Sequence, residues 1–191
     1  MHFYILAGGQ SRRFGRNKAL FVIDGKSIIE RVIAAIPPTS QIFLVTNSPA
    51  EYADLGLATL PDHYPGCGPL AGIHAGLRYS PQEWNFFLAC DFPALQSSVI
   101  KEILTAPRTA QVILPETPEG LQPLCALWSK AALPAVENAL QNQERRVQAA
   151  LAKLQVKIIL PGDPQMLFNL NTSQDLLKLQ NKLAPIHPGR V

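Results

Sequence analysis

The stretch Leu6 to Lys18, LAGGQSRRFGRNK, sets Arg12, Arg13, Arg16 and Lys18 around the glycine pair Gly8-Gly9 without a single carboxylate. The first acidic residue in the chain is Asp24. Glycine lets an anion approach the main chain, whose N–H groups point outward at such a turn. Four side-chain cations would share the charge of a triphosphate, and nucleotidyl transfer depends mainly on positioning and on neutralising phosphate oxygens. A solvated arginine loop is the plainer alternative. The second chemical position is Asp91 in LACDFP, directly after the apolar run Phe86 to Cys90. A lone carboxylate facing a phosphate loop suits Mg²⁺, a hard ion that takes oxygen ligands. Its alternative is an N-cap for the helix that follows. The third is PDHYPGCGPLAGIHAG, where Asp62 precedes Gly66, Gly68, Gly72 and Gly76. Gly66 and Gly68 stand where backbone faces a ligand, while Gly72 and Gly76, four apart, bare one helix face. Tight packing on a sheet accounts for Gly76. His63 and His74 are candidate bases, or ordinary surface and core histidines.

Two familiar phosphate motifs fail on detail. A Walker loop needs Ser or Thr after its lysine, and Lys18 is followed by Ala19. A dinucleotide fold needs G-x-G-x-x-G and an acid closing its second strand. Here the glycines are Gly8-Gly9 and then Gly15, and the second apolar run ends in Thr46-Asn47.

Positioning these residues requires elements that alternate. Short apolar runs separated by helical patterns predict an α/β fold: a single domain with a mostly parallel, Rossmann-like sheet flanked by helices. Strands are expected at 3–7, 41–46, 56–60, 85–90, 110–115, 123–128 and 156–160. Helices are expected at 28–36, opened by the Ser27–Glu30 capping box and closed by Pro37-Pro38, and at 70–79, 98–106, 131–142, 145–154 and 172–183. The domain is expected to span 1–184, with a Pro-rich disordered tail at 185–191.

Composition narrows the class. The 191 residues are 47% hydrophobic and 16% charged, enough for a core without metal or disulfide staples. A net charge of +3 is too weak to argue for nucleic acid. Cys67, Cys90 and Cys125 lack CxxC spacing, and the four histidines form no ligand-spaced cluster. The N-terminal apolar run stops at Gly8, too short for a signal h-region or a membrane span, so the expected place is the cytoplasm.

LAGGQSRRFGRNK, PDHYPGCGPLAG and CDFP, in this order and spacing, resemble the molybdenum cofactor guanylyltransferase family. QPLCALW, ERRV and FNLNTSQDL extend the likeness over nearly the whole chain. The resemblance implies a nucleotide-diphospho-sugar transferase-like fold, with a nucleotide-binding N-terminal part and an acceptor-binding C-terminal part. It implies transfer of GMP from GTP to molybdenum-bound molybdopterin, with Mg²⁺ as cofactor and pyrophosphate as by-product. Carried over by residue, Leu6, Ala7 and Gly8 would contact GTP through their backbone, Asn47 and Asp62 would bind the nucleotide, and Lys18 would neutralise its phosphates. Asp91 would hold Mg²⁺, and Arg12, Arg13, Lys18 and Asp91 would serve catalysis. Gly15, Gly68, Gly72, Arg145 or Arg146, Asn169 and Asn171 match positions associated with the pterin or with catalysis. Cofactor-insertion proteins and molybdoenzyme chaperones would be partners. Two residues depart from the pattern: Asn17 stands where aspartate is frequent, and Ser173 where proline is usual.

The acceptor, a phosphate monoester, is already anionic at neutral pH and needs no strong base. Base choice stays open between GTP and CTP, the acceptor between pterin and a sugar or lipid phosphate. A nucleotide sensor without turnover is the reading from another class.

Overall fold

The computed structural model describes residues 1–8, 17–170 and 175. Arg12, Arg13, Gly15 and Asn171, the tail at 185–191 and all of the expected helix at 172–183 except Asp175 lie outside the described residues.

The fold grows from its first strand, β1 (His2–Leu6), whose five residues are all buried. Side chains alternate across a strand, so Phe3 and Ile5 enter one core while Tyr4 and Leu6 enter another. A strand apolar on both faces belongs at the centre of a covered sheet. It pairs in parallel with β4 (Gln41–Val45) on one side and with β6 (Trp84–Ala89) on the other. Beyond β4 lies β5 (Ala58–Leu60), also parallel. Beyond β6 the order runs through β9 (Cys125–Ser129) and β7 (Val112–Thr117) to β10 (Val156–Ile159). The strand β9 is antiparallel to both its neighbours, the one reversal in the main path among the described residues. A short β8 (Gly120–Leu121) folds back on β7.

Helices cover both faces. On the Phe3 side, α1 (Ile28–Ala35) contributes Ile29 and Val32, and α3 (Ser97–Thr105) contributes Val99, Ile100 and Ile103. On the Tyr4 side, α2 (Pro69–Tyr79), α4 (Leu133–Gln141) and α5 (Val147–Leu151) bury Leu70, Ile73, Val136, Leu140, Val147 and Ala150. The opening of α1 is written locally: Ser27 N–H donates to Glu30 Oε2 at 2.7 Å, and Glu30 N–H donates back to Ser27 Oγ at 3.4 Å. That capping box satisfies two of the orphan donors that every helix start exposes.

Every expected strand and helix within the described residues is present, with ends displaced by a few residues. The largest trim is α5, which runs only from Val147 to Leu151 because Arg146, with extended dihedrals, is its N-cap. An unanticipated hairpin joins β2 (Val22–Ile23) and β3 (Lys26–Ser27). Its two turn residues, Asp24 and Gly25, both have positive φ, the geometry that Asp-Gly pairs favour. Among the described residues no helix is long and apolar enough to cross a membrane.

Candidate active site

From β1 the chain builds outward through β4 to β5, then returns to the opposite flank of β1 as β6. In an open parallel sheet, the carboxyl ends of the strands beside such a reversal leave a crevice. A pocket of about 280 Å³ occupies that crevice, and its wall follows the strand ends. Leu6, Ala7 and Gly8 come from the end of β1, Val45 from β4, Asp62 from beyond β5, and Cys90 and Asp91 from beyond β6. Asn17, Lys18 and Tyr52 close one side, and Gly68 and Gly72 the other.

Lys18 and Asp91, 73 residues apart in sequence, meet here. Lys18 Nζ donates to Asp91 Oδ2 at 2.9 Å, with side-chain exposures of only 15% and 19%. The other carboxylate oxygen, Asp91 Oδ1, is buried and has no hydrogen-bond partner. A buried charged oxygen without a partner is costly unless something outside the chain completes it. Asp91 is not the N-cap of α3, because that place is taken by Gln96, five residues on. Its main chain is anchored by a segment much later in the sequence, where Leu170 N–H donates to the Asp91 carbonyl at 3.0 Å.

Asp62 is held by Asn47. The Asn47 amide donates to Asp62 Oδ2 at 3.0 Å, and Asp62 N–H donates to Asn47 Oδ1 at 3.1 Å. The parallel neighbours β4 and β5 bring these residues side by side just past their ends. Asp62 Oδ1, like Asp91 Oδ1, is buried and unpartnered. A Cβ built on Gly8 would lie 3.9 Å from Asp62 Oδ2, so the chain leaving β1 passes directly beside this acid.

The glycines separate by role. Gly68 has φ +67° and ψ −155°, a conformation essentially reserved for glycine, and it caps the start of α2. The space a Cβ would fill there is bounded by the Arg145 carbonyl at 3.7 Å, which sets the 142–146 turn beside this glycine. A Cβ on Gly72 would come within 2.8 Å of Leu6 Cδ2, and one on Gly76 within 2.6 Å of Phe87 Cε1. Both glycines therefore bring α2 down onto the sheet, and Gly72 also lines the pocket.

Arg145 and Arg146 are exposed on the turn before α5. Asn169 donates to Gln122 Oε1 at 3.3 Å, on the same segment whose next residue holds the Asp91 carbonyl.

The histidines stand apart from the pocket lining. His63 is not among the lining residues and is exposed. His74 is buried between α2 and α4, 3.4 Å from Glu137, and burial lowers its pKa more than that long contact raises it. Burial also pushes the Cys90 thiol up to about 12, reinforced by the neighbouring Asp91 charge, so this pocket sulfur is no nucleophile.

Tyr52 lines the pocket from outside every motif quoted above: it lies in a 3₁₀ segment at Pro49–Leu55 and turns its ring inward, while Leu124, within QPLCALW, enters from the approach to β9. Nothing local distinguishes Tyr52 from an ordinary amphipathic tyrosine.

A family model for the MobA-like NTP transferase domain matches residues 3–157. The chain is 36% identical over 197 residues to the molybdenum cofactor guanylyltransferase of Desulfosudis oleivorans, covering 98% of this chain and 96% of that one. To a probable molybdenum cofactor guanylyltransferase of Clostridium perfringens it is 34% identical, over 81% and 79% of the two chains. The crystal structure of molybdopterin-guanine dinucleotide biosynthesis protein A from Archaeoglobus fulgidus superposes with a TM-score of 0.81 at 25% identity, over 95% of this chain and 98% of that one.

Proposed function

This chain belongs to the MobA-like NTP transferase family and is a nucleotidyltransferase, and we propose that it transfers GMP from GTP to the terminal phosphate of molybdenum-bound molybdopterin. Pyrophosphate leaves. The observation that carries this reading is the meeting of Lys18 and Asp91 at the carboxyl edge of the sheet, in the pocket that Gly8 lines, with one Asp91 oxygen left without a partner.

The residues suit the reaction without a base or a covalent intermediate. The acceptor phosphate is anionic near pH 7, so it attacks the α-phosphorus directly; the bond from that phosphorus to the α–β bridging oxygen breaks, and the oxygen leaves as a terminal oxygen of pyrophosphate. Lys18 supplies positive charge to the phosphates, joined by Arg12 and Arg13 from the loop. Leu6, Ala7 and Gly8 offer backbone groups to the nucleotide, and Asp62, oriented by Asn47, offers an acceptor to its donors. Gly15, Gly68, Gly72, Arg145, Arg146, Asn169 and Asn171 serve the pterin side.

Mg²⁺ fits the donor set. Asp91 Oδ1 is a hard oxygen, buried and unpartnered, whereas no group of three or more His, Cys, Asp or Glu among the described residues forms a complete cage. The remaining ligands would be phosphate oxygens and water, the usual arrangement for this ion. When bound it adds charge stabilisation on the phosphates. The chain's own part is to hold Asp91 in place through Lys18 and through the Leu170 N–H. The cytoplasm, where GTP and the reduced pterin are found, is the proposed location, and cofactor-insertion proteins and molybdoenzyme chaperones are the proposed partners.

The test is pyrophosphate release with Mg²⁺ and each of GTP, CTP, ATP and UTP, with and without molybdate-loaded molybdopterin. Release with GTP that requires the pterin is expected. Release with CTP moves the enzyme to cytidylyl transfer. GTP binding without release from any nucleotide overturns turnover altogether.

A further inference from the structure

One run of hydrogen bonds along the pocket wall plays no part in the mechanism above. The Asn17 amide donates one N–H to Glu51 Oε2 at 2.6 Å and the other to the Tyr52 hydroxyl at 2.9 Å. Its oxygen accepts from Ala19 N–H at 3.1 Å. The Tyr52 hydroxyl in turn donates to the Ala7 carbonyl at 3.3 Å. Two donors and one acceptor are thus all engaged, which fixes the amide's orientation. Turned over, Asn17 would set its oxygen against the Glu51 carboxylate.

The phenol has a single proton to give. Because Asn17 donates to the phenolic oxygen, that proton is directed to Ala7. Burial raises the Tyr52 pKa to about 12, so the phenol keeps its proton at neutral pH. In a trans planar peptide the carbonyl and the following N–H point in opposite directions. Fixing the Ala7 carbonyl toward Tyr52 therefore aims the Gly8 N–H away from Tyr52. The same relay joins the end of β1 to the residue before Lys18, the two described ends of the glycine–arginine stretch.

We propose that Asn17 and Tyr52 are positioning residues: by directing the phenol's proton onto the Ala7 carbonyl, they hold the Ala7–Gly8 peptide and present the Gly8 N–H as a fixed donor to the nucleotide. The inference rests on the reading that a nucleoside triphosphate occupies this pocket. Asn17 matters here as an amide and not merely as a polar residue. A carboxylate at position 17 would accept the Tyr52 proton and strip it from Ala7. It would also face Glu51 with like charge.

Three variants separate these effects: Tyr52→Phe, Asn17→Asp, and the double Asn17→Asp/Glu51→Gln. In the double variant the amide introduced at position 51 donates to the new carboxylate and removes the like-charge contact, yet the Tyr52 proton still goes to position 17. Each is assayed for KM and kcat with whichever of the four nucleotides the unaltered protein turns over, together with Tm. If that nucleotide is not GTP, the guanylyl reading fails while the relay is still judged on the nucleotide used.

Tyr52→Phe is expected to raise the nucleotide KM about three- to tenfold, the range set by one lost hydrogen bond, with kcat changing less than about threefold. The double variant should regain the Tm lost by Asn17→Asp and keep the raised KM of Tyr52→Phe. A purely structural role predicts that KM and Tm recover together, and that result overturns the proposal. So does a KM for Tyr52→Phe within about twofold of the unaltered protein, less than one lost hydrogen bond is worth. That single variant decides alone if the double variant does not fold.

Discussion

Replacing Asp91 by alanine probes the site most sharply, because it should move turnover and nucleotide affinity in different directions. The carboxylate sits 2.9 Å from Lys18 with one oxygen unpartnered, so it neither caps a helix nor completes a core. Its backbone tie to Leu170 runs through the carbonyl and survives the change. Truncation leaves the Lys18 ammonium without this carboxylate in a setting where both side chains are less than a fifth exposed, at a cost of about 1–3 kcal/mol. For a domain of this size that corresponds to a Tm lower by roughly 2–12 °C, with the fold intact. Turnover depends on charge supplied where the phosphates react, and losing one such element costs on the order of 10²–10³ in kcat, about 2.7–4 kcal/mol. Metal-free affinity for the triphosphate should hold or tighten, because a negative group beside the phosphates is gone and Lys18 is released to them. The assays are pyrophosphate release with Mg²⁺ as the sole divalent ion, and equilibrium binding of a fluorescent GTP analogue in chelator. Turnover within about fivefold of the unaltered protein, far short of that expected loss, would refute the role given to Asp91. So would a loss of metal-free affinity as large as the loss of turnover, which would make Asp91 a general determinant of nucleotide binding.

Three further outcomes follow from the geometry. Gly76→Ala would drive its Cβ to 2.6 Å from Phe87 and 2.9 Å from Tyr4, overpacking worth about 1–3 kcal/mol, read as a lower Tm in thermal melts. Gly68→Ala meets no close atom but forces a side chain onto φ +67°, at a cost of about 1–3 kcal/mol; because the strain sits on the pocket wall, kcat/KM for the nucleotide should fall alongside Tm. His74 and His2 both have pKa values lowered chiefly by burial, so the unfolded chain binds more protons below the ordinary histidine value of 6.5. Their contribution is fully present above that pH and is lost as pH falls through the lowered folded values; Tm measured between about pH 7.5 and 5 should drop, and His74→Leu should flatten the drop.

What could be read from the sequence was what neighbours in the chain decide. Ser27 and Glu30 are three apart, and their reciprocal hydrogen bonds need nothing beyond the helix they open. Gly8 and Asp91 announced themselves because each follows a strand whose apolar run is unmistakable, and a parallel sheet collects such ends on one edge. The Asp24-Gly25 turn was equally local, and its hairpin could have been found from the Asp-Gly signal. The reversal of β9 could not. Its direction depends on a partner far earlier in the chain, in β6, and its composition is that of any buried strand. For the same reason the pairing of Asn47 with Asp62 becomes visible only when β4 and β5 lie side by side.

Asn17 shows where such reading stops and why. Judged from its neighbours, it is a polar residue before a lysine, and its difference from the aspartate frequent at this place looks like a small change of loop charge. In the fold its amide meets Glu51 and Tyr52, 34 and 35 residues away. Glu51 makes the amide necessary, since an aspartate at position 17 would set two carboxylates in contact, each disfavouring the other's charge. A departure from a family pattern is therefore neutral or damaging according to the residue it faces across the fold. Here the facing residue has the complementary chemistry: a carboxylate opposite an amide, with the phenol linking that amide to the Ala7 carbonyl just past β1 and fixing which way the protons run.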